Sequence, residues 1–311
     1  MSGSAPNPPE ETERNYPLRR LSTVRTGGPA DYLARPRNEK ALIDLLKWAT
    51  GAGVQIAVIG SGSNLLVADE GFRGLALKLE DSLAEIERES ERVLCGGGAR
   101  LPSAAAKAAG WGLTGIEFGI NIPGTVGGAV RMNANAYGGE LARTLEWVTV
   151  CTGAGAERRV AVDLGLRYRD SALSPSEVIS TASFQLSPGD PEAIKATMSE
   201  MREKRHEAQP SGIKTFGSTF TNPDGGEAGG RTAGQLLADA GCGGLQVGGA
   251  RLSEKHANFV ENTGAATTAE IVELMSRARI QVFESSGVVL EPEVQVLGDV
   301  VWPDAWASLK P

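Results

Sequence analysis

Gly60-Ser61-Gly62-Ser63-Asn64-Leu65-Leu66, which directly follows the apolar run Val54 to Ile59, decides the fold together with a second stretch, Ile122-Pro123-Gly124-Thr125-Val126-Gly127-Gly128-Ala129. Each offers main-chain amides that side chains do not obstruct. Without Cβ atoms such a loop can curl around phosphate oxygens and let a flat ring approach the backbone. Taken singly, the first loop has two readings, a phosphate cradle and a plain tight turn, and Asn64 can serve either. Its spacing matches neither GxxxxGK[ST] nor GxGxxG before a good helix, so P-loop and Rossmann assignments fail. Two such loops in one chain point to a large anionic cofactor gripped at separate places.

Composition narrows the class. Glycine is the outlier, 40 of 311 residues, nearly twice the usual share of about 7%. The net charge of −7, with no basic run, argues against nucleic-acid binding. Cys95, Cys151 and Cys242 are odd in number, far apart and without a CxxC pair, which argues against a disulfide framework, a zinc site or any other metal centre. Met1 to Tyr16 lacks the apolar core of a signal peptide, and no run reaches transmembrane length. A soluble, cytoplasmic monomer is expected, with a disordered N-terminal tail at 1–18 and a C-terminal tail at 299–311.

The coarse pattern alternates helices and strands. Asn38 caps a helix with Leu42, Leu45, Leu46 and Ala49 on its apolar face, ended by Gly51. Val54 to Ile59 reads as a buried strand, Leu75 to Leu79 and Arg92 to Cys95 as further strands, and Pro102 to Ala109 as an alanine-rich helix. Trp147 to Cys151 and Glu177 to Leu186 are strand-like. Asp190-Pro191 opens a helix to about Glu207, whose Arg202-Glu203-Lys204-Arg205 face reads as solvated. A helix at Thr232 to Ala240 precedes a capping box, Thr267-x-x-Glu270, that starts a helix with Ile271, Leu274, Met275, Ala278 and Val282 on one face. The chain closes with Val288 to Leu297. If extended, Leu290, Pro292, Val294 and Val296 share one face, and Glu293 is left free to serve a cavity. Pro292 confines that strand to an edge or bulge.

Six motifs in order carry a specific resemblance. They are Thr26-Gly27-Gly28-Pro29-Ala30, Gly60 to Val67, Gly115-Ile116-Glu117-Phe118 through Tyr137-Gly138, Tyr168-Arg169-Asp170-Ser171, Gly217-Ser218-Thr219-Phe220-Thr221-Asn222-Pro223, and Leu290-Glu291-Pro292-Glu293-Val294. From about Leu21 to Gly298 the chain resembles the UDP-N-acetylenolpyruvoylglucosamine reductases, the MurB flavoproteins of peptidoglycan synthesis. The resemblance implies an α+β fold: a bipartite FAD-binding domain of the vanillyl-alcohol-oxidase (PCMH) type over 19–190, in lobes of about 19–80 and 81–190, and a C-terminal α+β substrate-binding domain over 191–298. FAD would lie between the lobes, its pyrophosphate on the first loop and its isoalloxazine against Ile122 to Gly128. His206 and His256 both fall outside the glycine loops, so noncovalent FAD is expected. The short connection from Ser171 to Gln185 resembles the shorter family subtype. Thr221 stands where many members have Lys, and Asn135 where Gly is usual.

The resemblance also implies a reaction, in which NADPH reduces the enolpyruvyl group of UDP-N-acetylglucosamine enolpyruvate through FAD to give UDP-N-acetylmuramate. Hydride added to the methylene carbon leaves carbanion character beside the carboxylate, which calls for a positive partner and a proton donor. Arg169, always charged and able to clamp a carboxylate bidentately, matches the family's carboxylate-binding arginine; a structural pairing with Asp170 is its plainer reading. Ser218 matches the proton donor, although a serine between Gly217 and Thr219 is ordinarily a turn residue. Glu293 carries over as the third catalytic group; unaided, Glu291 and Glu293 read as solvent-facing charges on an edge strand. Tyr137, Tyr168, Lys214, Asn222 and His256 are candidates to hold the sugar nucleotide. Lys214 is chosen for phosphate on charge and position. His256 has a second reading, as a residue satisfying its own loop backbone.

Overall fold

The computed structural model describes residues 8–9, 12–223, 225–226 and 228–309. Asn38, in extended backbone, accepts a hydrogen bond from the Ala41 N–H (2.9 Å) and starts α1 (Glu39–Gly51), which buries Leu42, Leu45, Leu46 and Ala49 as its periodicity requires. The chain folds as two compact units. The first contains Ala30–Ser61 and Arg73–Arg205 with the N-terminal strand; the second contains Pro17–Pro29, Gly62–Phe72 and the chain from His206 onward.

In the first unit, β1 (Thr12–Pro17), β2 (Pro29–Ala34), β3 (Gln55–Val58) and β4 (Phe72–Leu77) form a sheet in the order β1-β2-β4-β3. β3 and β4 are parallel, with Gln55 opposite Gly74 and Val58 opposite Leu77, so the chain between them is a crossover that contains the first glycine loop. A second sheet comprises β5 (Ile86–Glu89), β6 (Arg92–Gly96), β7 (Leu145–Thr152), β8 (Gly155–Val160) and β9 (Val178–Gln185), antiparallel in the order β8-β7-β9-β6-β5. α1 shares a core with residues of both sheets, among them Leu75, Leu77, Cys151 and Val178. Each fully buried aliphatic side chain there contributes roughly 1.5–3 kcal/mol. α2 (Leu101–Gly110), with Pro102 in its first turn, α3 (Val126–Arg131) and α4 (Pro191–Ala208) complete the unit. α4 turns Ile194 and Met198 inward, with Met201 partly buried.

The second unit is built on α5 (Ala233–Asp239), α6 (Thr268–Ser286) and a three-stranded meander of Gln246–Val247, Ala250–Leu252 and Val260–Asn262. Both helices open with a full capping box, Thr232 with Gln235 and Thr267 with Glu270. The α6 face Ile271, Leu274, Met275, Ala278 and Val282 is fully buried, as its spacing predicts. Leu65–Val67 pairs in parallel with Gln295–Leu297.

Four expectations need correction. The N-terminal segment is ordered from Thr12, because β1 pairs along β2; residues 1–7, 10 and 11 lie outside the described residues. The expected C-terminal tail is packed: Trp302 and Trp306, the latter on the short helix Asp304–Ser308, join the core of the second unit, while residues 310 and 311 lie outside the described residues. The strand over Val288 to Leu297 is reduced to an isolated bridge between Pro292 and Phe220 plus Gln295–Leu297. Leu290 and Val294 are buried but Val296 is exposed, since the chain changes pairing partner after Val294. Finally, β3 is the edge of its sheet rather than a buried strand, and Val58 is exposed.

The divisions of the chain also differ in detail from the expected domains. α4 falls in the first unit up to Arg205, and 17–29 and 62–72 contribute to the second.

The Thr267 box closes two reciprocal bonds, Glu270 N–H to Thr267 Oγ1 (3.1 Å) and Thr267 N–H to Glu270 Oε2 (3.0 Å). Thr267→Ala is expected to lower unfolding free energy by about 1 kcal/mol, read as a shift in the urea midpoint at unchanged slope. A change in slope instead would mean that the substitution acts on more than the cap.

Candidate functional site

A cavity in the first unit gathers three glycine segments that are far apart in sequence. It is lined by Val58, Ile59 and Gly60, by Lys78 and Leu79, by Gly97 and Gly98, by Thr125, Gly127, Gly128 and Arg131, and by Glu177 to Ile179. Both loops singled out in the sequence reach it. The third, Gly96-Gly97-Gly98 after β6, was visible as a glycine run but had no assigned role.

Main-chain bonds hold these walls together. The Gly97 N–H donates to Ser180 O (2.8 Å), its carbonyl accepts from the Gly127 N–H (2.8 Å), and the Val126 N–H donates to Ala99 O (2.7 Å). A Cβ on Gly97 would overlap the Ile179 carbonyl oxygen, so only glycine permits the lacing. Gly62 is required for a separate reason. It has a left-handed backbone (φ +66°), and a Cβ there would strike the Leu21 carbonyl.

The cavity's charge favours an anion. Lys78 donates to Gly60 O (3.0 Å), and burial pushes its ammonium below the usual lysine range, an effect that Glu80 opposes. Burial likewise lowers Arg131, whose guanidinium donates to the carbonyls of Leu173 (3.0 Å), Ser174 (3.2 Å) and Glu177. Glu177 would be raised by burial, but the Ser174 N–H and Arg159 outweigh it and hold the carboxyl below its usual range. Among the described residues, the amides of Gly60, Ser61, Gly62, Ser63 and Asn64 meet no protein acceptor. The amides of Gly60 and Ser61, the partly buried Lys78 and the apolar lining of Ile59, Leu79 and Ile179 fit a ligand that combines an anionic group with a flat ring.

Not every predicted cofactor residue lines this cavity. Gly60, Thr125, Gly127 and Gly128 do. Ile122 and Gly124 close a tight turn, Gly124 N–H to Ile122 O (2.7 Å), with Pro123 between them. Leu65 begins the strand opposite Gln295. Asn64 joins its loop to the C-terminal segment, since Nδ2 donates to Glu293 O (3.2 Å) and its carbonyl accepts from the Gln295 N–H (3.1 Å).

The second unit brings Ser218 and Glu293 onto neighbouring extended segments. Ser218 is bridged to Phe259, Phe220 to Pro292, and the Glu293 N–H donates to Thr219 O (2.9 Å). Thr221 N–H donates to Glu291 O (2.9 Å), which continues the ladder. On the other side, Asn258 brackets Phe220: Oδ1 accepts from the Phe220 N–H and Nδ2 donates to its carbonyl, both at 2.9 Å. Gly217, at φ +83°, turns the chain into this ladder.

Tyr137, Tyr168 and Asn135 line one open pocket in the first unit. Arg169 follows at the tip of a turn closed by mutual bonds between Arg167 and Asp170, with its Cζ 5.1 Å from the Tyr168 ring centre. Both Tyr137 (φ 51°) and Arg169 (φ 58°) have left-handed backbone, which non-glycine residues adopt infrequently. Arg205, read from sequence as part of a solvated face, is partly buried; burial lowers its guanidinium, and the nearby Tyr137 phenol opposes the effect.

Lys214 is exposed in a different hollow, with Arg19, Arg20 and Arg25. Asn222 Oδ1 accepts from the Ala233 N–H (3.0 Å) at the start of α5. His256 packs edge-on to Phe259, with ring centres 4.9 Å apart, and its Nδ1 accepts from the Asn258 N–H (3.3 Å).

Comparison with known proteins extends these observations. Residues 30–161 match the family "FAD binding domain", and residues 209–297 match "UDP-N-acetylenolpyruvoylglucosamine reductase, C-terminal domain". UDP-N-acetylenolpyruvoylglucosamine reductase 2 of Symbiobacterium thermophilum is 40% identical over 296 residues, covering 94% of each chain. The reductase of Novosphingobium aromaticivorans is 42% identical over 301 residues, covering 96% of this chain and 99% of its own. The crystal structure of the Thermus caldophilus reductase superposes with a TM-score of 0.79 at 33% identity, over 93% of this chain and 98% of that one. Together they show an α+β fold with an FAD-binding domain and a C-terminal domain.

Gly97→Val is expected to yield folded but colourless protein, with FAD affinity reduced more than about 100-fold, because the side chain takes the place of the Ile179 carbonyl. Flavin absorbance of the purified variant, titrated with FAD, checks this.

A pH effect follows from His256, whose pKa burial lowers. The unfolded chain takes up this proton below about 6.5, whereas the folded chain resists until lower pH. Stability is therefore lost as pH falls through that window and is unaffected above it. His256→Gln should flatten this acid-side loss in thermal melts at pH of roughly 7.5 and 5.5; an identical loss in the variant would rule out His256 as its source.

Proposed function

Because the chain belongs to the UDP-N-acetylenolpyruvoylglucosamine reductase family, we propose that it reduces UDP-N-acetylglucosamine enolpyruvate to UDP-N-acetylmuramate with NADPH, in the cytoplasm, as a step of peptidoglycan precursor synthesis. FAD, held noncovalently, would supply the hydride chemistry between NADPH and the substrate double bond. The main-chain amides of Gly60 to Asn64 would hold its pyrophosphate, and Lys78 would neutralise part of the charge. The glycine walls at Gly97 and Gly127 let the ring system approach the backbone.

Substrate chemistry falls to three groups. Arg169 clamps the enolpyruvyl carboxylate and stabilises the negative charge that develops beside it. Ser218 delivers a proton to the carbon alpha to that carboxylate; a serine is a weak acid, but an enolate carbon is a strong enough base to take its proton. Glu293 assists the proton delivery or the enolate stabilisation. Tyr137, Tyr168, Lys214, Asn222 and His256 hold the sugar nucleotide, with Lys214 on phosphate. NADPH and the sugar nucleotide both carry diphosphates, so one pocket can serve them in turn.

The observation that carries this reading is the ladder in which the Glu293 N–H donates to Thr219 O, directly beside Ser218. It runs the segments that carry Ser218 and Glu293 side by side, which supports their serving one substrate.

Ser218→Ala should leave flavin reduction by NADPH unchanged while slowing flavin oxidation by the enolpyruvyl substrate about 10²-fold or more. Anaerobic stopped-flow absorbance separates the two half-reactions, and equal rates in both for variant and parent would refute the assignment.

A further inference from the structure

We propose that Arg279 and Trp306 are positioning residues that hold the segments bearing Ser218 and Glu293 in register. The inference rests on the catalytic reading above. Arg279 lies on α6 and is only 2% exposed, yet it is not consumed by helix packing. Its Nε donates to Leu290 O (2.7 Å), its Nη2 to Glu291 Oε1 (2.8 Å) and its Nη1 to Trp306 O (2.7 Å). The guanidinium carbon also sits 4.4 Å from the centre of the Trp306 ring.

These contacts close a circuit around the ladder. Arg279 grips Leu290 and Glu291, which immediately precede Pro292 and Glu293. Pro292 is bridged to Phe220, and the Phe220 ring stacks on Trp306 at 6.4 Å with planes 15° apart. Trp306 is backed by Trp302, ring centres 4.2 Å apart, and returns to Arg279 through both its carbonyl and its ring.

Two physical features make this a positioning device. A buried guanidinium needs acceptors, and here each of its three nitrogens donates to a different one in one fork. The Glu291 side chain is half exposed, so the ion pair by itself adds little to stability. Its effect is geometric, because it fixes the approach to Pro292-Glu293 from one side while the Trp306–Phe220 stack fixes the Ser218 segment from the other. Displacement of a reacting group by about 1 Å can cost on the order of 10²-fold in rate.

The test uses full-length, FAD-loaded protein and the same two half-reactions. Trp306→Leu removes the stack but keeps the carbonyl that Arg279 uses, and Arg279→Lys removes the fork. Each should slow flavin oxidation by the enolpyruvyl sugar nucleotide at least tenfold, while flavin reduction by NADPH and substrate affinity stay within about threefold. The solvent isotope effect on the oxidation step should rise, because misplaced proton delivery becomes rate-limiting. Trp306→Phe should restore most of the lost rate.

Oxidation within about twofold of the parent in FAD-loaded Trp306→Leu, or equal slowing of both half-reactions, would overturn the proposal. If Arg279→Lys does not retain FAD, the Trp306 pair decides alone. Ser218→Ala run in parallel separates the two failures. If it is slow while Trp306→Leu is not, only the positioning role is lost; if it is unaffected, the catalytic reading itself falls.

Discussion

Gly97 is committed through both of its peptide groups, and the glycine-walled cavity of the first unit depends on that commitment. Its amide is bonded to Ser180 on β9, its carbonyl receives the Gly127 amide at the start of α3, and Ile179 O occupies the space a side chain would need. Those bonds bring the turn after β6, the second glycine loop and β9 into one wall. A side chain at this point would separate them by the width of a methyl group or more. The loss would reach beyond one contact, since unpaired buried amides each cost about 1–3 kcal/mol.

Charge is then concentrated where the backbone leaves room. The chain as a whole carries −7, yet the cavity wall holds Lys78 and Arg131, both disfavoured by burial. Arg131 is occupied by three carbonyls of the 173–177 turn, so it shapes the rim. Lys78 donates to Gly60 O at the cavity wall. A bound anion would relieve the desolvated Lys78 ammonium.

The second unit solves a different problem, that of holding a hydroxyl and a carboxyl steady on segments with little regular structure. Ser218 to Thr221 and Glu291 to Glu293 lie outside the assigned strands and are joined by isolated bridges. Their rigidity comes from side chains that satisfy main-chain groups: Asn258 around Phe220, Asn64 on Glu293, and Arg279 on Leu290. Asn64 thus has a role in the fold as well as a place in the glycine loop, because it ties that loop to the Glu293 segment.

What was legible in the sequence is what local chemistry governs. The α1 cap at Asn38, the Thr267 box, the buried faces of α1 and α6, and the glycine loops all follow from residue type and spacing within about a dozen positions. The order of six motifs, from Thr26 to Val294, was enough to identify the family. Tertiary structure alone decided which distant segments meet. Nothing local marks Gly97 or Lys78 as cavity residues, Arg205 as partly buried, or Trp306 as a neighbour of Phe220. Those outcomes depend on sheet order and on contacts between segments separated in sequence, where the bonding capacity of a carbonyl or guanidinium is plain but its partner is not. The strand at Val288 to Leu297 shows the same limit: its alternation is correct through Val294, and then the main chain changes partners from Phe220 to Leu65.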